Sequence, residues 1–221
     1  MKKLIIFDLD GTLLNTINDI TLSINLALSD MKLRKVSVDE AKYLVGSGVD
    51  ILAKRTIELL QGKSNIKLEE KFKKLYQDYY TIHQKDTTKP YEGIIEALKE
   101  LKRLNIKIAV LSNKPHKDVL PIMAHYFKDI KFDYILGKID KNRIKPAIDG
   151  VLMIEEELSI KNKQDILYVG DSNVDVKTAL NASLLPLACL WGFRKKEELI
   201  SAGATHFANI PLDIVMEAIH D

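Results

Sequence analysis

Leu4-Ile5-Ile6-Phe7-Asp8-Leu9-Asp10-Gly11-Thr12 is the stretch from which the rest of the chain is read. Four uninterrupted apolar residues closed by Asp-Leu-Asp-Gly predict a strand buried on both faces and ended by a turn. Such a strand belongs in a parallel sheet with helices on both sides. Downstream the texture divides. Over 16–84 the periodicity is helical throughout. Helices are expected over 16–31, from the Ser37/Glu40 capping box to about Gly46-Ser47-Gly48, over 49–61 and over 68–84. The first carries Ile17, Ile20, Ile24, Ala27, Leu28 and Met31 on one face, and the last carries Phe72, Leu75, Tyr79 and Ile82. From Pro90 onward strands alternate with helices. Strands are expected over 106–111, 132–136, 166–169, 185–190 and 206–207, and helices over 93–104, 119–127, 147–158, 174–181, 195–202 and from 212. The expected fold is α/β. A doubly wound, Rossmann-like core of residues 1–15 and 85–221 is interrupted by an all-α helical cap over 16–84, with hinges at 14–16 and 86–89.

The chain has 221 residues, enough to bury about 70% of its unfolded surface without staples. Its 33 basic and 31 acidic side chains are interspersed and leave a formal charge of +2, which gives no electrostatic case for a nucleic-acid partner. One cysteine, Cys189 in the run Leu187-Ala188-Cys189-Leu190-Trp191, excludes an internal disulfide and a cysteine-rich zinc site. The apolar run before Asp8 is too short for a secretory leader, and no stretch approaches the length of a membrane span. A cytoplasmic protein with no membrane partner is expected, as a monomer or homodimer.

The unusual polar residues fall at the carboxyl ends of expected strands: Asp8 and Asp10, then Ser112 and Asn113, then Asp171. That edge of an open α/β sheet is where ligands bind. Lys145, on a loop before a helix, offers a cation to the same place. Several carboxylates meeting there repel one another unless a divalent cation joins them, and all-oxygen ligands favour Mg²⁺. The five histidines are scattered. The Gly11-Thr12 turn, a hydroxyl at Ser112 and the Lys145 ammonium surround one small anion with donors. A phosphoryl group fits, since its transfer needs mainly positioning and charge neutralisation. One carboxylate serves as nucleophile, and another two residues on serves as acid and then base.

Asp8-Leu9-Asp10-Gly11-Thr12, Ser112, Lys145-Pro146 and Gly170-Asp171-Ser172-Asn173-Val174-Asp175 together resemble the four ordered motifs of the haloacid dehalogenase-like phosphatases. The resemblance implies that Asp8 attacks phosphorus and ligates Mg²⁺. It implies that Asp10 protonates the leaving oxygen, later deprotonates water, and lends its main-chain carbonyl to the metal. Thr12 orients the turn, Ser112 and Lys145 hold phosphoryl oxygens, Asn113 belongs to the same phosphate-binding group, and Asp171 completes the metal set. Asp175 is expected to orient Lys145 or metal-bound water, and Ser172 and Asn173 to cap a helix.

Val45-Gly46-Ser47-Gly48, Pro90-Tyr91-Glu92-Gly93, Ser112-Asn113-Lys114-Pro115 and Trp191-Gly192-Phe193-Arg194 look like the phosphoglycolate phosphatase group with a helical cap. By that resemblance Gly46 and Ser47 read the leaving group, and Arg55 is a candidate partner for a substrate carboxylate. The implied function is Mg²⁺-dependent hydrolysis of small phosphorylated metabolites through an aspartyl phosphate, with 2-phosphoglycolate the preferred substrate. Inorganic pyrophosphatase and sugar-phosphate mutase are the alternatives on the same fold. The mutase is disfavoured because the helix over 16–31 holds no histidine. A non-catalytic binding protein would be expected to lack one of Asp8, Asp10, Lys145 or Asp171, and all are present.

Overall fold

The computed structural model describes residues 1–140 and 143–220, so Asp221, the last residue of the expected core, lies outside them, as do Lys141 and Asn142. The chain divides into two compact units, Met1–Leu14 with Pro90–Asp221, and Asn15–Lys89. Short strands β2 (Leu14–Asn15) and β3 (Lys89–Pro90) mark the two crossings.

The first unit is built on β1 (Leu4–Phe7). Every residue of this strand is buried, and its alternation supplies both faces. Ile5 and Phe7 enter one apolar cluster, Leu4 and Ile6 the other. The same partition recurs along β4 (Lys107–Pro115) and β6 (Ile166–Gly170), with Val110 and Val169 on the first face and Ala109 and Tyr168 on the second. The sheet also holds β5 (Tyr134–Lys138), β7 (Leu185–Cys189) and β8 (His206–Ala208), in the order β5-β4-β1-β6-β7-β8. All neighbours are parallel. Two-sided burial is what continuous apolar strands require, and it is met by helices on both faces. On the first face α5 (Ile94–Arg103), α6 (His116–Tyr126) and α10 (Leu212–Ile219) contribute Leu98, Ile122 and Ile214. On the second, α7 (Asp149–Leu158) and α8 (Asn173–Asn181) contribute Ile154 and Ala179. Helix α9 (Lys196–Ser201) packs Leu199 beside Val176 and Ala188. This is a doubly wound α/β fold.

Strand β4 differs from its expected span. It runs on through Ser112 and Asn113 to Pro115, with a shift in its register against β5 between Leu111 and Pro115. The reason is local. The Lys114 N–H donates to Ser112 Oγ at 3.2 Å, and the chain stays extended while its ladder is interrupted.

The second unit is all helical: α1 (Ile17–Asp30), α2 (Val38–Leu44), α3 (Val49–Gln61) and α4 (Ile66–His83). The Ser37/Glu40 capping box opens α2. Helix α4 turns a different stripe inward from the one expected. Phe72, Tyr76 and Tyr80 are buried, with successive rings stacked at 6.1 and 5.6 Å, whereas Ile82 is 69% exposed. Aromatic residues at i, i+4 and i+8 give a continuous ring stack against α1, which the alternative stripe lacks. Among the described residues no helix is long and apolar enough to cross a membrane.

Candidate active site

The carboxyl ends of β1, β4 and β6 bring the sequence-selected residues of the first unit to one edge of the sheet. Asp8 follows β1 directly, and its N–H continues the ladder to the Val169 carbonyl at 2.9 Å. The chain then turns tightly: the N–H groups of Leu13 and Leu14 both return to the Leu9 carbonyl at 3.0 Å. Gly11 sits in that turn at φ +89°, and a methyl group on it would overlap the Asp171 carboxylate. Only glycine meets both requirements.

Lys145 is 4% exposed and sits between two carboxylates, its Nζ 2.8 Å from Asp8 Oδ1 and 2.7 Å from Asp175 Oδ1. Burial works to lower its pKa. Asp175 and then Asp8 more than offset that, so the ammonium titrates well above the ordinary lysine range. Its main chain is fixed by Asn113, which accepts the Lys145 N–H at 2.7 Å and donates to the Lys145 carbonyl at 3.2 Å. Asn113, a candidate phosphate ligand, thus applies both ends of its carboxamide to placing the lysine. Asp175 is held in turn. The N–H of Ser172 donates to its Oδ2 at 3.2 Å, and Ser172 and Asp175 form the capping box that opens α8.

Asp8, Asp171 and Asp175 each present a carboxylate oxygen within 4.8 Å of the others. Burial first, then the Asp175 charge, raises the Asp8 carboxyl well above the usual range, against the pull of Lys145. The same two causes push Asp171 up to about 7, although it accepts N–H from Phe193 at 2.7 Å and the Thr12 hydroxyl at 3.1 Å. Buried carboxylates whose pKa values are raised by burial and by one another gain from a neighbouring cation, and the oxygen-only chemistry suits a divalent ion of the magnesium type. Asp175 is already committed to Lys145 and Ser172, so the fit falls on Asp8 and Asp171.

The Asp10 side chain lies 2.8 Å from the ammonium of Lys114, whose side chain is 8% exposed. Ser112 Oγ is buried beside it on β4. The Trp191 indole N–H donates to the Thr12 carbonyl at 3.1 Å. Lys114, Trp191 and Phe193 carry no site role in the sequence reading. Lys114 had a signal in its position, two residues past Ser112 on the same side of an extended strand. Gly46 and Ser47 belong to the helical unit, in the turn between α2 and α3, where Gly46 has φ +102°. In that unit Arg55 donates to the Tyr43 carbonyl at 3.4 Å.

A model of the family described as haloacid dehalogenase-like hydrolase matches residues 5–187. The chain belongs to this family. Among relatives of this hydrolase, the phosphoglycolate phosphatase of Mannheimia succiniciproducens is 30% identical over 86% of the chain and 87% of its own length. The phosphoglycolate phosphatase of Vibrio parahaemolyticus is 29% identical, over 98% and 96%. A solved structure from Lactobacillus delbrueckii subsp. bulgaricus superposes with a TM-score of 0.92 at 29% identity, covering all of both chains. Membership of the family makes the protein a hydrolase, and a cluster of three carboxylates, Asp8, Asp171 and Asp175, stands at this edge of the sheet.

Proposed function

We propose that the protein is a Mg²⁺-dependent phosphatase of small phosphomonoesters, working through an aspartyl phosphate on Asp8, with 2-phosphoglycolate as its substrate. The observation that carries this reading is Lys145, shared between Asp8 at 2.8 Å and Asp175 at 2.7 Å. A buried ammonium fixed from behind by one carboxylate keeps a second carboxylate oriented and screens its charge from an approaching dianion. Asp8 then attacks phosphorus. A bond forms from its carboxylate oxygen to phosphorus as the bond to the ester oxygen breaks, and that oxygen takes a proton from Asp10. Asp10 next accepts a proton from the water that opens the acyl phosphate, which releases inorganic phosphate and restores Asp8. Ser112 Oγ and Lys145 Nζ hold phosphoryl oxygens. The Asp8 and Asp171 carboxylates and the Asp10 carbonyl would hold Mg²⁺, which when bound would supply positive charge against those oxygens. The substrate assignment is supported by the phosphoglycolate phosphatases among the relatives.

Phosphate release over a panel of phosphorylated metabolites and pyrophosphate, with Mg²⁺ or with chelator, tests the reading. The expected result is Mg²⁺-dependent release, with 2-phosphoglycolate foremost and no turnover by Asp8→Asn. Release that survives chelation or Asp8→Asn would overturn the mechanism. Exclusive release from pyrophosphate would replace the substrate.

A further inference from the structure

We propose that Lys114 selects substrates whose leaving group carries a carboxylate close to the ester oxygen. The inference rests on the reading of Asp8 as nucleophile and Asp10 as acid. The edge of the sheet holds a buried lysine, Lys145, and a half-buried one, Lys114, with distinct places. Lys145 lies on the nucleophile side, bonded to Asp8 and Asp175. Lys114 lies on the acid side, 2.8 Å from Asp10 Oδ1. The two lysine side chains are 3% and 8% exposed, so neither is a solvated surface side chain.

The geometry of the reaction then locates the leaving group. To deliver a proton, Asp10 must approach the ester oxygen to about 2.6–3.2 Å. An ammonium already bonded to that carboxyl group therefore stands within about 6 Å of the ester oxygen where one carboxyl oxygen serves both contacts, and within about 8 Å where the two oxygens divide them. A carboxylate one methylene beyond that oxygen falls inside this range and gives a charge-assisted contact of about 2.7–2.9 Å with Lys114. A leaving group ending in a hydroxyl offers the ammonium no charge, and a longer chain carries its carboxylate past it. Lys145 cannot serve this purpose, because Asp8 and Asp175 hold its ammonium on the far side of the phosphoryl group from the departing oxygen. Lys114 lies on β4, in the extended stretch between Leu111 and Pro115 where the ladder to β5 shifts register, and its main chain is fixed there by the N–H contact to Ser112 Oγ at 3.2 Å.

The test compares 2-phosphoglycolate with 2-hydroxyethyl phosphate, which replaces the carboxylate by a neutral group of similar size. Both are assayed with wild type, Lys114→Met and Lys114→Arg, with circular dichroism as the folding check. Wild type is expected to favour 2-phosphoglycolate by about tenfold or more in kcat/KM. Lys114→Met should lose that preference, mainly through a higher KM for 2-phosphoglycolate, and Lys114→Arg should retain most of it. An equal fall on both substrates would mean that Lys114 acts only through Asp10, and would overturn the proposal. So would a wild type without preference, whatever the variants do. Failure of the underlying reading looks different: wild type would release phosphate from neither ester, nor from p-nitrophenyl phosphate. In that case binding of free glycolate to wild type and to Lys114→Met, followed by calorimetry, still decides the role of the lysine. Equal binding by the two proteins overturns it.

Discussion

The indole N–H of Trp191 donates to the carbonyl oxygen of Thr12 at 3.1 Å, tying the segment after β7 to the turn that carries Asp10. Two residues on, the Phe193 N–H closes on Asp171 at 2.7 Å. Between them, any side chain on Gly192 would strike Asp171. One short segment therefore steadies both the turn and a proposed metal ligand. Trp191→Phe keeps a ring in the same space and deletes the donor. A single net hydrogen bond is worth about 1 kcal/mol, or about fivefold in rate if the bond matters chiefly in the transition state. Steady-state kinetics should show kcat falling by about that factor with KM nearly constant. A raised KM at constant kcat would mean that the bond serves substrate binding and not the turn.

Asp8 and Asp175 share one lysine and should respond to mutation in opposite ways. Asp175 is bonded to Lys145, to the Ser172 N–H and to the start of α8. Removing it in Asp175→Ala leaves a buried ammonium with one carboxylate fewer and opens a helix cap, a loss of about 3 kcal/mol or more. Asp8 is the reverse case, since burial and its carboxylate neighbour disfavour its charge. Asp8→Asn should abolish turnover and leave metal-free stability equal or higher. Urea unfolding of both variants in chelator is the measurement. A comparable loss in Asp8→Asn would make Asp8 a structural partner of Lys145.

The core was legible because two-sided burial writes itself into β1 as an unbroken apolar run, and the polar residues after each strand mark one edge. Local pattern is weaker where two apolar stripes lie side by side. On α4, Leu75, Tyr79 and Ile82 compete with Tyr76 and Tyr80, and only packing on α1 selects the aromatic stack. Contacts between distant segments are less legible still. Asn113 reads as a phosphate ligand, and no local pattern tells that its amide also holds the main chain of Lys145, 32 residues away. Lys114 and Trp191 carry no site role in the sequence reading, because their partners Asp10 and Thr12 lie 104 and 179 residues away.

Asp19 is the sharpest case of that kind. In the first turn of α1 it reads as an acid favoured by the helix dipole. It is 1% exposed, and it accepts the Thr87 N–H at 2.9 Å, the Thr87 hydroxyl at 2.6 Å and the Thr88 N–H at 2.9 Å. The two ends of the helical unit are thereby tied by one carboxylate. Asp19→Ala leaves three donors without their acceptor and should cost about 3 kcal/mol in that unit. Hydrogen exchange should quicken at Thr87 and Thr88 first. Unchanged protection there would show that the segment is held by other contacts.

Metal and pH should be linked through Asp171. Its carboxyl is pushed from 3.8 to about 7 by burial and then by the Asp175 charge. A raised folded pKa means that the folded protein holds a proton which the unfolded chain has released. Between those two values stability therefore falls as pH rises, and above about pH 7 the whole penalty is present. Asp8 is shifted in the same direction and deepens the loss. A divalent cation binds the ionised carboxylates and removes the penalty, displacing the proton as it does so. Calorimetric Tm values with and without Mg²⁺ should differ little near pH 5 and diverge toward pH 8, with Mg²⁺ the stabilising condition. Proton release on Mg²⁺ binding, measured in buffers of different ionisation enthalpy, should be larger below pH 7 than at it and should diminish as pH rises through 7. A Mg²⁺ effect on Tm that is the same at both pH values would mean that the ion is held by groups other than these two aspartates.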